Sequence, residues 1–177
     1  MKTTIAVFLA AVLPMTSMAD DDYKVATVIS MDDLEEVVAA APGDRVSDQP
    51  VVHVESAEGR LGIGIVHRPA IEPGAAVQGI QHHNQSEVYR VMSGKGILVT
   101  GTRMSESTAL DQEGYVVTNL TGPSDTGVIE EIHDSQPIAA GDIVIIPAGV
   151  AHGFSEISEP ITYMVVRIDP DRLVQLK

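Results

Sequence analysis

Two segments well apart in the chain carry side chains that can hold a divalent metal: QHHNQSEVYRVMSG, from Gln81 to Gly94, and GDIVIIPAGVAH, from Gly141 to His152. Together they offer histidines and a glutamate, enough for three ligands with coordination positions left open. Alternate side chains of a strand share a face, so Gln81 and His83 point one way and His82 the other. With His83 turned inward, Glu87 lies on its face, Tyr89 and Val91 continue the inward line, and Arg90 points out. Gly94 lets the chain turn sharply. In the second segment Ile143 to Ile146 reads as a buried strand and Pro147-Ala148-Gly149 as a turn. That turn aims His152 back into the same cavity.

The elements that must position these groups are mostly strands. From Val51 onward, short runs rich in Val, Ile and Thr are punctuated by Gly and Pro: PVVHVES, GRLGIGIVHRP, SEVYRVMSG, KGILVTG, GYVVTNL, TGVIEEIH, GDIVIIPAG and PITYMVVRI. This spacing, without interleaved helices, predicts an all-β sandwich or barrel. Thr121 to Gly127 reads as a loop, and Met104 to Gly114 as a second, polar one. Before the strands, Ser30-Met31-Asp32-Asp33 followed by Leu34, Val37 and Val38 predicts one short amphipathic helix. Ser30 is its N-cap, acids fill its first turn, and Pro42-Gly43 ends it. It is expected to pack outside the main body.

The 177 residues leave room for one domain. Lys2, the apolar run Ile5 to Leu13 and the small residues around Ser17-Met18-Ala19 read as a secretory signal over 1–19, too short to span a bilayer. The protein is therefore expected to be exported, periplasmic or extracellular, with no membrane attachment once the signal is removed. Residues 20–50 form an N-terminal extension with the helix, 51–169 the barrel and 170–177 a tail. With no cysteine, disulfides, thiolate metal sites and a cysteine nucleophile are excluded. The formal charge of -14 repels phosphate backbones and argues against nucleic acid as a partner. A Gly-x-Ser-x-Gly elbow is absent, and GRLGIG lacks the spacing of a phosphate cradle.

The paired segments resemble the two signature motifs of the cupin superfamily. Gly141, Pro147, Gly149 and His152 match the second motif at every spacing, and His83, Glu87 and Gly94 match the first with a three-residue spacer. The likeness covers roughly Val51 to Asp169. Gln81 stands where the family usually has a histidine, and Glu156 where it often has asparagine. A second register, with His82 as the histidine and a four-residue spacer, puts Ile80 at the first position. The Gln81/His83 register is preferred because it keeps two polar groups on one face, with His82 as the spare.

The resemblance implies a cupin-type double-stranded β-helix, a jelly-roll barrel, that holds a divalent metal in its mouth and often dimerises. The implied ligands are His83, Glu87 and His152, a two-histidine, one-carboxylate set, with Gln81 as an optional fourth through its amide oxygen. Iron or manganese is favoured, and zinc, nickel or copper would also be accepted. Glu87 is also the candidate catalytic group, shifting between ligand and general base. The expected function is metal-dependent, oxygenase-like chemistry on a small oxygen-rich molecule; the alternative is a non-catalytic ligand- or metal-binding module. Tyr89, Phe154 and Tyr163 are candidates to line the cavity, and Arg68, Arg103 and Arg167 to bind a substrate carboxylate. His53, His67 and His133 receive no functional role.

Overall fold

The computed structural model describes residues 25–175. The expected signal over 1–19 lies outside the described residues. The helix forms where its caps place it. α1 spans Met31–Ala40, and the Ser30 side chain accepts from the Asp33 amide while the Asp33 carboxylate accepts from the Ser30 amide. This reciprocal box satisfies two amides that a helix N-terminus otherwise leaves orphaned. Leu34 is the buried residue of α1, which packs on the outside of the first two strands.

Seven strands follow: β1 (Ser47–Ser56), β2 (Gly59–Arg68), β3 (Gln78–His82), β4 (Ser86–Ala109), β5 (Ser124–Ala139), β6 (Ile143–Ile146) and β7 (Ala151–Asp169). All their pairings are antiparallel, in the order β1-β2-β7-β3-β5-β4-β6. A further pairing of β4 with β7 closes β7, β3, β5 and β4 into a ring. The all-β, double-stranded β-helix architecture expected from the motifs is therefore the observed one. The first strand begins at Ser47, a few residues ahead of the expected boundary, and the last ends at Asp169.

Three elements differ from the sequence reading. GYVVTNL is not a strand. Val117–Thr121 forms a π-helical turn, in which the Gly122 amide donates to the Val117 carbonyl at 3.1 Å. Its buried residues Val117, Leu120 and Thr121 recur at three and four positions, which suits a helical turn and not an alternating strand. The supposed loop at Thr121 to Gly127 already enters β5 at Ser124, and the loop at Met104 begins only after β4 ends at Ala109. Polar composition misleads there because the end of β4 is largely exposed and pairs with the start of β5 through several register shifts.

The core lies inside the closed ring. Tyr89, Val91, Leu98, Ile146, Phe154, Ile161, Tyr163 and Val165 pack as one buried cluster, drawn from β4, β6 and β7. Arg90 is exposed between buried Tyr89 and Val91, as strand alternation requires. Gly94 does not end β4. It has φ +77 at a register shift against β7, and a β-carbon there would run into the Pro160 carbonyl. Gly149 also has positive φ (+80), but a β-carbon there meets nothing within 4 Å.

These two glycines give a paired prediction. Gly94→Ala combines backbone strain with a collision against main chain and should cost at least about 2 kcal/mol. Gly149→Ala carries the backbone term alone, about 1–2 kcal/mol. Urea denaturation of both variants checks this; equal losses would contradict it.

Candidate metal centre

Among the described residues, one cluster of three metal-ligating side chains is present: His82, Glu87 and His152, with one ligand atom from each within 4.8 Å of the others. All three are buried. His82 Nε2 lies 3.4 Å and His152 Nε2 3.3 Å from Glu87 Oε2. The histidine is thus His82 and not His83. β3 ends at His82, residues 83–85 leave the sheet, and the strand resumes at Ser86. Counting alternate faces from His83 to Glu87 fails because that count assumes one unbroken strand.

His83 sits at the surface, its side chain 43% exposed, with Nε2 3.3 Å from Asp125 Oδ1. Gln81 is no fourth ligand in this arrangement: its Nε2 donates to the Gly149 carbonyl at 2.6 Å. Ile80 lines the same cavity as His82 and occupies the position where the motif usually carries its first histidine. The cluster therefore keeps the two-histidine, one-carboxylate composition with one histidine replaced.

The two motifs are tied directly to each other. The Gly149 amide donates to the His82 carbonyl at 2.7 Å, Gln81 reaches the Gly149 carbonyl, and the Ala148 amide donates to Ser86 Oγ at 3.1 Å. These bonds hold the turn that launches His152 against the end of β3. The Cβ-free, positive-φ residue Gly149 is what lets that turn form.

The partners of the imidazoles fix their protonation pattern. His152 Nδ1 lies 3.0 Å from the Val150 carbonyl, which can only accept, so Nδ1 carries the proton. His82 Nδ1 lies 2.9 Å from Ser124 Oγ. That hydroxyl donates to the Gly122 carbonyl at 3.0 Å and so accepts from His82. In the neutral rings both Nε2 atoms are then lone pairs directed at Glu87. The Nε2 of His152 is buried without a hydrogen-bond partner. Two lone pairs facing a carboxylate oxygen call for a cation between them, and the donor set suits a divalent metal.

Glu87 is prepared as an anion. Arg167 Nε donates to its Oε1 at 2.9 Å, and Tyr89 Oη donates to its Oε2 at 2.7 Å. Arg167 is in turn held by Asp48 through both terminal nitrogens. Burial alone would raise the Glu87 carboxyl, but the Arg167 charge beside it outweighs that cost and holds it well below the usual range. A carboxylate so stabilised is a weak proton acceptor, which favours ligation over the general-base role. Burial lowers His82 below the ordinary imidazole range, so it is neutral at pH 7. Burial first, then the Glu87 charge, pushes the Tyr89 hydroxyl well above its ordinary value.

The remaining candidates divide clearly. Tyr89 and Tyr163 line the cavity with the cluster, and Phe154 stacks behind Tyr163 with ring centroids 6.5 Å apart. Arg167 is committed to Glu87 and Asp48, and Arg103 pairs at the surface with Glu130 and Glu131. Arg68 lines the cavity. Asp48, Ser124 and Val150 hold the cluster's members in place without any signal in the sequence. The cavity measures about 50 Å³. A larger groove of about 660 Å³ runs along β6 past Ile145 and Pro147, away from the cluster.

No protein-family model matches the chain, and no curated protein matches it by sequence. Similar solved structures include an uncharacterised Klebsiella pneumoniae protein with a double-stranded β-helix domain, 15% identical with a TM-score of 0.47, covering 83% of this chain and 93% of its own. A cupin 2 conserved barrel domain protein from Salinispora arenicola is 17% identical with a TM-score of 0.42, over 82% of this chain and 90% of its own. The DMSP lyase DddQ from Ruegeria pomeroyi is 15% identical with a TM-score of 0.40, over 72% of this chain and 54% of its own. In its closed antiparallel ring, and in the way its two motifs meet at one cavity, this chain has the double-stranded β-helix fold.

Proposed function

We propose that the barrel binds a divalent metal through His82 Nε2, Glu87 Oε2 and His152 Nε2, and that the protein is a metal-dependent enzyme acting on a small oxygen-rich molecule. The observation that carries this reading is the pair of imidazoles whose Nδ1 protons are spent on Val150 and Ser124, leaving both Nε2 lone pairs aimed at one carboxylate oxygen. Three protein ligands of this composition favour iron or manganese and an oxygenase-like reaction class. When bound, such an ion supplies Lewis acidity and open positions for a chelating ligand.

The chain's own residues have narrower tasks. Arg167 occupies Glu87 Oε1 and so restricts the carboxylate to a single ligating oxygen. Tyr89 donates to the other oxygen and keeps the carboxylate plane fixed. Ser124 and the Val150 carbonyl orient the rings. Apolar neighbours, buried Val66 and half-buried Ile80 among them, restrict water. A cavity of about 50 Å³ also suits a non-catalytic binder of a small ligand, and that second reading shares the same metal centre.

Metal content by mass spectrometry separates the two histidine registers. His82→Ala and His152→Ala should lose stoichiometric metal while remaining folded, and His83→Ala should keep it; loss in His83→Ala with retention in His82→Ala would sink the assignment. Ser124→Ala removes only the orienting bond and should weaken metal binding roughly tenfold or more, read by competition with a chelator. Metal should also leave on acidification, below the ordinary imidazole range, because protons and metal compete for the Nε2 lone pair of His82, whose protonation burial already disfavours. Retention of metal in strong acid would place it elsewhere. Oxygen uptake with small hydroxy- and oxo-compounds then distinguishes the oxygenase from the binder.

A further inference from the structure

Arg68, the last residue of β2, stands in the wall of the cavity that holds the cluster. Its Nε donates to Tyr163 Oη at 3.0 Å, and its guanidinium lies 5.5 Å from the centre of the Phe154 ring. These contacts fix the plane of the group and use one of its five donors. Among the described residues, neither terminal nitrogen of Arg68 has a hydrogen-bond partner, whereas Arg167 spends Nε and both terminal nitrogens on Glu87 and Asp48. One cavity thus contains an arginine held through all three of its nitrogens and one with its fork free.

Charge points the same way. Asp48 and Glu87 offset Arg68 and Arg167, so these four groups balance by themselves. Adding a divalent cation at the cluster leaves an excess of two positive charges in a buried space, which an anionic ligand would relieve. The volume limits that ligand. At about 10–15 Å³ of such space per water, about 50 Å³ holds a molecule of only a few heavy atoms. Val46, 53% exposed, also lines the cavity.

We infer that Arg68 is the carboxylate-recognition residue of this site, its free fork binding a small carboxylate whose remaining polar group reaches the metal. The inference rests on the metal centre proposed above. It selects small hydroxy- or oxo-carboxylates over neutral sugars, alcohols and larger acids.

Glycolate and its neutral isostere glycolamide provide the probe, titrated by calorimetry into the full chain both with and without bound manganese. The wild type should bind glycolate roughly tenfold or more tightly than glycolamide. Arg68→Met should erase that preference without changing the metal count. Arg68→Lys keeps the charge but loses the fork, and should retain only part of the preference. The lysine variant also decides the matter if the methionine variant does not fold. An unchanged preference in a folded Arg68 variant, or no preference in the wild type, would overturn the inference. Metal is counted separately: a chain that binds no metal contradicts the centre, while an Arg68-dependent preference in that same chain would still uphold carboxylate recognition.

Discussion

A carboxylate buried to 1% exposure inside a β-barrel is the constraint on which the rest of this structure turns. Glu87 cannot remain ionised there without partners, and they are drawn from β1, β3, β4 and β7. Arg167 on β7 takes one oxygen and is itself clamped by Asp48 on β1. Tyr89, its neighbour on the same face of β4, donates to the other oxygen. The rings of His82 on β3 and His152 on β7 close the remaining side. Ring closure between β4 and β7 is what brings these groups together.

A buried ion pair alone is weak evidence for function, because it is often no more stabilising than packed apolar groups. The case for a metal comes from what the pair leaves undone. Arg167 satisfies Oε1 fully, yet two imidazole lone pairs still face Oε2, and His152 Nε2 has no partner. Ser124 and Val150 enforce that orientation from the far side of each ring. A purely structural core would gain by turning one ring to donate. With each Nδ1 bonded on the far side, to Ser124 and to Val150, both rings instead present Nε2 to Glu87, the orientation a metal centre needs.

The fold was legible because its signals are local. Glycines at turns, β-branched runs and the Ser30/Asp33 cap each state their own structure, and the second motif placed Gly149 and His152 correctly. Glu87, Tyr89, Val91 and Arg90 also took their expected faces, since all four lie on one continuous strand. The choice between His82 and His83 failed at the break after β3, where alternation stops carrying information. Gln81 looked like a ligand by type, but its amide serves the turn at Gly149. The segment around Val117 had strand composition with helical burial, and composition won in the sequence reading. Asp48, Ser124 and Val150 were beyond reach because their roles arise from pairings between distant strands.

The most direct test of the account is the position of the metal itself. Crystals grown with manganese and measured for anomalous scattering should show one strong peak about 2.0–2.3 Å from His82 Nε2, Glu87 Oε2 and His152 Nε2. Arg167 should remain on Glu87 Oε1 in that map. A peak at His83 and Asp125, or no peak at the buried cluster, would contradict the central claim that this barrel is built around a metal held by His82, Glu87 and His152.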